Sequence, residues 1–430
     1  MDVRSAREFG ALIRGARCAR RLTQTQVGAA CGYSPSAVSR IEAGLMHIDY
    51  ARMMQFAAFL GIAPDRLPSA PVPPRRVVDT VERPADEEDA VRRRELLTGA
   101  LAAGATAAFG ASPANAASPT VDPAAGLEDT LFHLPLASPL RLERLSRQAA
   151  RARTDFRAAR YTALGRALPG LLAAATATRE TSAGRAREQA GVVLARSYVL
   201  AAELALKQHH DAAWVAADRA LATARASGHP VSIGEATRVL AITMRRSGRS
   251  PAAVRLLTRE ASDLDAAQAQ TGAVRTTLLL TAAYTAATEG DRATALNLLD
   301  EAAEETDRRR ATVPGLFTVD ATQTQVDGYR ITVLNALGTP DEGVKVFTRL
   351  NVDRMSTPER RARTWTDAAR MWRALGDSQQ TFAALRRVEQ EAPQELRRPA
   401  LRALTSDLLY APARVPGIRE FAARTGALPV

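Results

Sequence analysis

The chain has 430 residues, enough for two or three domains with cores of their own. Its net charge is +12, but 56 of the 58 basic side chains are arginine, a compositional bias that is weak evidence for a nucleic-acid partner by itself. Two cysteines in the whole chain exclude a disulfide framework and a thiolate zinc cluster, and they favour a reducing cytosol.

The first helix is predicted over residues 5–21, where apolar side chains recur at helical spacing. These are Phe9, Leu12, Ile13 and Ala16. Residues 1–70 contain nine arginines and five acidic residues, with Arg14, Arg17, Arg20 and Arg21 clustered at the end of this helix. The cluster suits a phosphate backbone, and a solvated helix face is the alternative. Both cysteines, Cys18 and Cys31, are predicted to be small core residues, with a redox switch between them as the alternative.

Residues 22–33 predict a short helix followed by a tight turn. Thr23 can cap the helix, with Gln26 three residues on as the partner in a capping box. Val27 and Ala30 give this helix an apolar face. Gly32 ends it, because the residue after the last turn usually needs a positive φ that only glycine adopts without strain.

A second short helix is predicted to follow immediately. Ser34 can cap it and Pro35 suits its first position, where a missing N–H costs nothing. Val38 and Ile41 lie three apart and face inward, and Gly44 closes the helix. The outward positions are then Ser36, Ala37, Ser39 and Arg40. A helix that exposes small side chains and one arginine can enter a major groove, where Arg40 can donate a fork to guanine.

These residues resemble the phage-repressor/Cro-like, or XRE, helix-turn-helix family over roughly residues 9–67. The matching positions are Thr23, Gln24, Gly32, Ser34, Val38, Glu42 and Gly44. The resemblance implies that Gln24 contacts a phosphate, that Pro35, Ser36 and Arg40 face the bases, and that Arg17 and Glu42 form an internal ion pair. The family often has Gln where Pro35 and Ser36 stand, so direct readout would rest on Ser36 and Arg40. The DNA-binding residues are thus predicted to be Gln24, Ser34, Pro35, Ser36, Ser39 and Arg40; the alternative is a helical hairpin inside a larger α domain.

A further helix over Tyr50 to Leu60 and a closing contact at Leu67 complete the expected lambda-repressor-like unit of five helices, residues 1–68. Prolines then predict a linker over residues 69–130. Within it, Arg92-Arg93-Arg94 and the mild apolar run that follows resemble a twin-arginine export signal. Because it lies behind a DNA-binding unit, we expect a soluble linker or docked helix, with a membrane anchor at 96–117 and an export signal as alternatives.

Residues 131–425 are predicted to be a helical repeat domain. Gly248, Gly290, Gly338 and Gly376 each precede, by five residues, a small residue: Ala253, Ala295, Gly343 and Thr381. The glycine would make the turn of a helical hairpin, and the small residue would let the second helix pack closely. The pattern resembles a degenerate tetratricopeptide repeat. Two earlier units fit Tyr198–Ala220, with Gln208 replacing the glycine and Ala213 the small residue, and Phe156–Ala175.

Such a stack of hairpins would form an α-solenoid that curls into an arc with a concave inner surface. Positions ten, six and three before each turn glycine are predicted to face it. The residues that suit a peptide or a small anionic ligand there are Arg238, Arg245, Tyr284, Asn335, Arg370 and Arg373. Solvated surface charge is the equally weighted alternative.

The sequence contains no P-loop, no HExxH helix and no kinase catalytic loop, so we predict no catalytic residues, no metal site and no cofactor. His209-His210 is expected to be a surface pair at a repeat turn. The order of parts resembles actinobacterial XRE-type transcription regulators with a C-terminal tetratricopeptide-like domain, which implies an all-α cytoplasmic homodimer on operator DNA. The alternatives are a membrane-tethered sensor with the repeats outside, and a repeat scaffold that does not bind DNA.

Overall fold

The computed structural model describes residues 3–20, 22–33, 35–42, 50–63, 67, 122–309, 313, 317, 319–411 and 415–428. Every regular element in these ranges is helical, which confirms the all-α prediction. The twin-arginine-like stretch, including the alternative anchor at 96–117, lies outside the described residues. So do Ser34, Gly44 and residues 64–66.

Four helices of the N-terminal unit are described: α1 (Val3–Ala19), α2 (Gln24–Cys31), α3 (Pro35–Glu42) and α4 (Tyr50–Leu60). They enclose one apolar core, in which Phe9, Ile13, Ile41 and Phe56 are almost completely buried. α1 crosses α3 at Gly10, where an added Cβ would lie 2.4 Å from the carbonyl oxygen of Ile41. The crossing is therefore close enough that only glycine fits.

Two small side chains lie on the opposite face from the one expected. Ala37 is fully buried rather than outward, because positions 37 and 41 are four apart and positions 38 and 41 are three apart, so Ala37, Val38 and Ile41 share one face of α3. Ala30 is exposed, and Cys31 occupies the buried position of α2 instead. The i, i+4 pairs that pack on the core are therefore Val27 with Cys31 in α2 and Ala37 with Ile41 in α3.

Fifteen further helices follow in the described part of the chain after residue 121. They are α5 (Leu127–Phe132), α6 (Leu142–Arg157), α7 (Tyr161–Thr181), α8 (Gly184–Gln208), α9 (Ala212–Ser227), α10 (Pro230–Arg246), α11 (Ser250–Asp263), α12 (Ala269–Thr288), α13 (Arg292–Arg309), α14 (Gln323–Ala336), α15 (Pro340–Phe347), α16 (Pro358–Ala374), α17 (Ser378–Glu391), α18 (Pro399–Leu409) and α19 (Ile418–Thr425).

From α6 to α17 the helices pair into six consecutive hairpins. The four turn glycines all adopt positive φ, between 71° and 79°, as the turn requires. The small residues five positions later are buried, and an added Cβ on one of them, Gly343, would lie 3.2 Å from Met371 Sδ. The predicted packing of these four hairpins is confirmed.

The two earlier hairpins are also present, with one correction. The residue with positive φ in the turn between α8 and α9 is His209, at 59°, whereas Gln208 is the last residue of α8. The second helix, α9, begins three residues after His209, whereas the second helix of each glycine turn begins two residues after the glycine. Ala213 still packs into the core. The hairpin around residues 156–175 turns at Ala159, which has a φ of 54°.

The expected arc closes into a ring. The first helices of the hairpins contact one another in sequence, α6 to α8, α10, α12, α14 and α16, and α16 contacts α6 again. Hydrogen bonds also join the first hairpin to later parts of the ring: Arg157 Nη2 donates to Asp320 Oδ2 at 3.0 Å, and Thr162 N donates to Gln394 Oε1 at 3.0 Å. The concave surface consequently lines the centre of a ring rather than one side of an open arc.

Residues before α6 belong to the same core. Ala124, Leu127 and Leu131 are buried in the cluster that α7 to α9 form, and the Pro123 carbonyl oxygen would lie 2.0 Å from a Cβ added at Gly165. The expected boundary at residue 130 is therefore too late, since the packed domain includes Ala124.

One described helix, α8, is long and apolar enough to cross a membrane. However, 78% of its most apolar window is buried by the surrounding helices, as expected for the central helix of a packed domain. Length and composition alone are weak evidence for a span in such a helix.

Candidate nucleic-acid interface and central cavity

The turn between α2 and α3 is fixed by local hydrogen bonds. Gln26 N donates to Thr23 Oγ1 at 3.2 Å and Thr23 N donates to Gln26 Oε1 at 2.8 Å, so the predicted capping box is confirmed. Gly32 adopts a φ of 75°, and Tyr33 N donates back to Gly28 O at 2.7 Å. The chain leaves α2 in one defined direction as a result.

A charged network joins the first three helices. Arg17 donates from Nε and Nη2 to the two carboxylate oxygens of Glu42, at 2.5 and 3.0 Å, and this confirms the internal ion pair. Gln24 Nε2 also donates to Glu42 Oε2, at 2.9 Å. Burial opposes ionisation of Glu42, but the hydrogen bonds from Arg17 and Gln24 outweigh it, so the pKa of Glu42 is lowered. The network holds the C-terminal end of α3 against α1.

Of the predicted DNA-binding residues, the structure describes two side chains. Ser39 is exposed on α3, and Gln24 is half-buried beside Glu42 at the start of α2. Ser34 lies outside the described residues, as do the side chains of Pro35, Ser36 and Arg40, although the latter three belong to α3. The contacts of these six residues with DNA stay predictions.

One anchor of the turn was missed in the sequence. Tyr33 is buried and its ring lies 5.3 Å from the ring of Phe56 on α4. Its hydroxyl accepts a hydrogen bond from Arg52 Nη1 at 3.2 Å. An aromatic residue directly after the turn glycine was the available signal, since a buried hydroxyl needs a partner. α4 thereby supports the turn that positions α3.

The two cysteines differ in their surroundings. Cys31 is buried, as predicted, and burial raises the pKa of its thiol to about 11. Cys18 is exposed, so its prediction as a core residue is wrong. A thiol with so high a pKa forms little thiolate at neutral pH, which disfavours a redox pair between them.

A cavity of about 150 Å³ lies at the centre of the helical ring. Side chains from α8, α10, α12, α14 and α16 line it, together with Arg398. Three of the six predicted ligand-surface residues, Arg238, Arg245 and Tyr284, are among them. The sequence pattern thus named three of the residues that line the cavity, and their contact with a ligand stays a prediction.

The other three predicted residues lie elsewhere. Asn335 Nδ2 donates to the Asp367 carbonyl oxygen at 2.8 Å and so joins α14 to α16. Arg370 Nη1 lies 3.5 Å from Asp367 Oδ1, a contact within α16 itself. Arg373 is exposed. In the four glycine-turn hairpins, position three before the glycine faces the cavity only in α10, where it is Arg245; in α12, α14 and α16 it is Ala287, Asn335 and Arg373.

Several cavity residues were not predicted because they stand nine or thirteen residues before the turn glycine, and neither position was included in the pattern. Thr281, Tyr329 and Asp367 stand nine residues before their turn glycines, and Gln325 and Arg363 stand thirteen before theirs. Residues three or four apart share a helix face, so positions thirteen, nine and six form one stripe. A pattern that included positions nine and thirteen would have predicted them.

A buried ionic cluster borders the cavity where the ring closes. Lys207 Nζ donates to Glu359 Oε1 at 2.6 Å and to Glu395 Oε1 at 2.8 Å, and Tyr161 Oη also donates to Glu395. Burial alone would raise the pKa of Glu359, but the charges of Arg360 and Lys207 outweigh it and bring the pKa to about 2. Both carboxylates are held ionised, so the cluster is an ionic bond between α8 and the C-terminal part of the ring.

The three carboxylates that line the cavity all have cationic partners. Glu203 pairs with Arg238, Glu359 with Lys207 and Arg360, and Asp367 with Arg363, whose Nε donates to Asp367 Oδ2 at 3.0 Å.

Arg245 stands apart from these ion pairs. Its guanidinium carbon lies 4.4 Å from the centre of the Tyr284 ring, and Nη1 donates to Thr285 Oγ1 at 3.1 Å. Burial lowers the pKa of Arg245, Tyr284 and Tyr329 oppose this, and the nearby charge of Arg363 lowers it further.

In the described ranges, no group of three or more His, Cys, Asp and Glu side chains is arranged to hold a metal ion. No curated protein and no solved structure matches the chain. A family model described as a helix-turn-helix domain matches residues 8–70, the stretch that holds α2, the Gly32 turn and α3. The N-terminal unit is therefore similar to helix-turn-helix domains, whose usual partner is DNA.

Proposed function

We propose that the chain is a sequence-specific transcriptional regulator that binds operator DNA through α3. The observation that carries this is the α2–Gly32–α3 unit, in which the capping box and the Arg17–Glu42 pair set the direction of α3. Buried Ala37, Val38 and Ile41 occupy one side of α3. By helical spacing, positions 36, 39 and 40 lie on the opposite side of the helix. That side holds two serines and one arginine, a combination suited to base edges.

The regulator is proposed to act as a cytoplasmic homodimer of the XRE type. One helix-turn-helix unit makes too few contacts for high specificity, so two units would read paired half-sites one helical turn of DNA apart. The proposed division is a DNA-binding domain at 1–68, a linker, and a tetratricopeptide-like repeat domain that begins by Ala124. The repeat domain would supply dimer contacts and bind an effector, which acts only if it binds the DNA-binding and non-binding states with different affinity.

Genome-wide crosslinking of the protein in its own cells, followed by sequencing of the bound DNA, tests this proposal. We expect discrete peaks that share a motif with two-fold symmetry. Arg40→Ala should weaken binding by about 1 to 3 kcal/mol and relax the preference at one base of each half-site. Arg255→Ala, an exposed arginine on α11, is the matched control and should leave the peaks unchanged. A profile without peaks would contradict the proposal and favour a repeat scaffold. Equal peaks for wild type and Arg40→Ala would contradict the proposed reading of DNA by α3.

A further inference from the structure

The central cavity contains a cation that the protein itself does not neutralise. Among the residues that the structure describes, the partners of Arg245 are the Tyr284 ring and the Thr285 hydroxyl, and it forms no ion pair. The carboxylates that line the same cavity already bind other cations. A guanidinium removed from water is costly to keep without a counter-charge. The site is consequently complementary to an anion.

The lining of the cavity as a whole carries an excess of positive charge. Seven arginine or lysine side chains and three carboxylates face the cavity. Glu395, which lies behind the lining, adds one more negative charge and leaves the balance positive. Because Arg363 is close enough to lower the pKa of Arg245, an anion beside both guanidinium groups would relieve their repulsion. The positive charge of the lining is therefore concentrated on the side of the cavity where Arg245 lies.

The volume limits the size of the molecule that fits. A cavity of about 150 Å³ is comparable with one that accepts a single benzene ring, and it is smaller than the roughly 300 to 1,000 Å³ of pockets for drug-sized ligands. A ligand of roughly six to ten non-hydrogen atoms matches this space. Ile242, Tyr284 and Tyr329 supply apolar and aromatic surface beside the charged groups. A peptide segment exceeds this volume.

We propose that the repeat domain binds a small oxyanion in this cavity, a carboxylate or a phosphate, with its charged group on the guanidinium fork of Arg245. Guanidinium groups bind both oxyanions through two parallel hydrogen bonds. The Tyr284 ring lies under the guanidinium carbon in a cation–π contact, which restrains the fork before the ligand arrives. This inference rests on the proposed effector role of the repeat domain and names the chemical class of the effector.

The test uses the full chain and three probes at constant ionic strength: inorganic phosphate, benzoate, and benzamide as the neutral match for benzoate. Binding is measured by titration calorimetry and by the shift in thermal unfolding temperature. We expect phosphate or benzoate to bind and benzamide not to bind. Arg245→Gln should weaken binding by about ten- to a hundredfold, because a hydrogen-bonded charge pair is lost. Arg255→Gln removes the same charge from the outer helix α11 and should bind as wild type does.

Arg245→Lys keeps the charge without the fork and provides a second variant if Arg245→Gln unfolds; it should bind more weakly than wild type. A response to phosphate alone identifies a phosphate ligand, and a response to benzoate alone identifies a carboxylate. Failure of both anions to bind, or equal binding by the wild type and both Arg245 variants, overturns the inference. Operator binding without any probe is measured in parallel on the same proteins. If that binding persists while anion binding fails, the proposed regulatory function stands and this inference alone is wrong.

Discussion

The close crossing of α1 over α3 gives a sharp test of how the recognition helix is held. In Gly10→Ala the new Cβ would lie 2.4 Å from Ile41 O and 2.7 Å from Glu42 O, whereas real Cβ atoms essentially never approach within 3.0 Å of another heavy atom. Both contacts are with backbone, so α1 or α3 must shift. Overpacking of this kind costs about 1 to 3 kcal/mol. Replacing glycine by alanine inside a helix stabilises it by about 1 kcal/mol. The variant is therefore destabilised overall if the steric cost at the crossing exceeds that gain.

Gly15→Ala on the same helix is the matched control. No atom lies within 4 Å of its added Cβ, so it should gain about 1 kcal/mol from helix propensity alone. Propensity cancels between the two variants, and their difference isolates the steric cost at the crossing. The assay is hydrogen exchange of the α1 to α4 amides in the full chain, read by mass spectrometry. We expect faster exchange in Gly10→Ala and slower exchange in Gly15→Ala. Equal protection in the two variants would refute the close crossing and the position of α3 derived from it.

Three further predictions concern charge and ionisation. Lys207→Met should lower the free energy of unfolding by up to about 3 to 5 kcal/mol, because it removes one of the cationic partners of each of two buried carboxylates, Glu359 and Glu395. Lys345→Met, at an exposed position, should change it by less than about 0.5 kcal/mol in chemical denaturation. Since the pKa of Glu359 is lowered to about 2, ionised Glu359 stabilises the fold above the ordinary glutamate pKa, and this stabilisation is lost as the pH falls from there towards 2. A free energy of unfolding that does not change over this pH range would contradict the ionised pair. Iodoacetamide should modify Cys18 and spare Cys31 in the native protein, as peptide mass spectrometry can show, and equal labelling would argue against the buried thiol.

The buried ionic cluster also bears on how an effector could act. Lys207 joins α8 to Glu359 at the start of α16, and both residues line the central cavity. A ligand in the cavity would thus lie beside the contact that closes the ring. If two ring arrangements exist, an anion could favour one of them only through different contacts in each. Measuring exchange of the α16 amides with and without phosphate would show whether ring closure responds to the anion.

Local structure was determined by the sequence alone. The capping box at Thr23, the left-handed glycine at position 32 and the glycine turns of four hairpins were all predicted correctly. These features depend on residues within one or two helical turns of one another, so short-range hydrogen bonding and backbone sterics suffice to specify them. The Arg17–Glu42 pair was predicted through resemblance to a helix-turn-helix family and not from spacing.

Tertiary structure decided which side chains meet. The closure of the ring depends on pairs far apart in the chain, such as Lys207 with Glu395 and Tyr161 with Glu395, which lie 188 and 234 residues apart. No local periodicity encodes such pairs. Of the residues expected on the concave surface, Arg245 proved to lack a counter-ion among the described residues, whereas Arg238 on α10 pairs with Glu203 on α8. An arginine has the same helical position whether or not a carboxylate lies across from it, so only the packed ring determined which charges are neutralised and which one remains for a ligand.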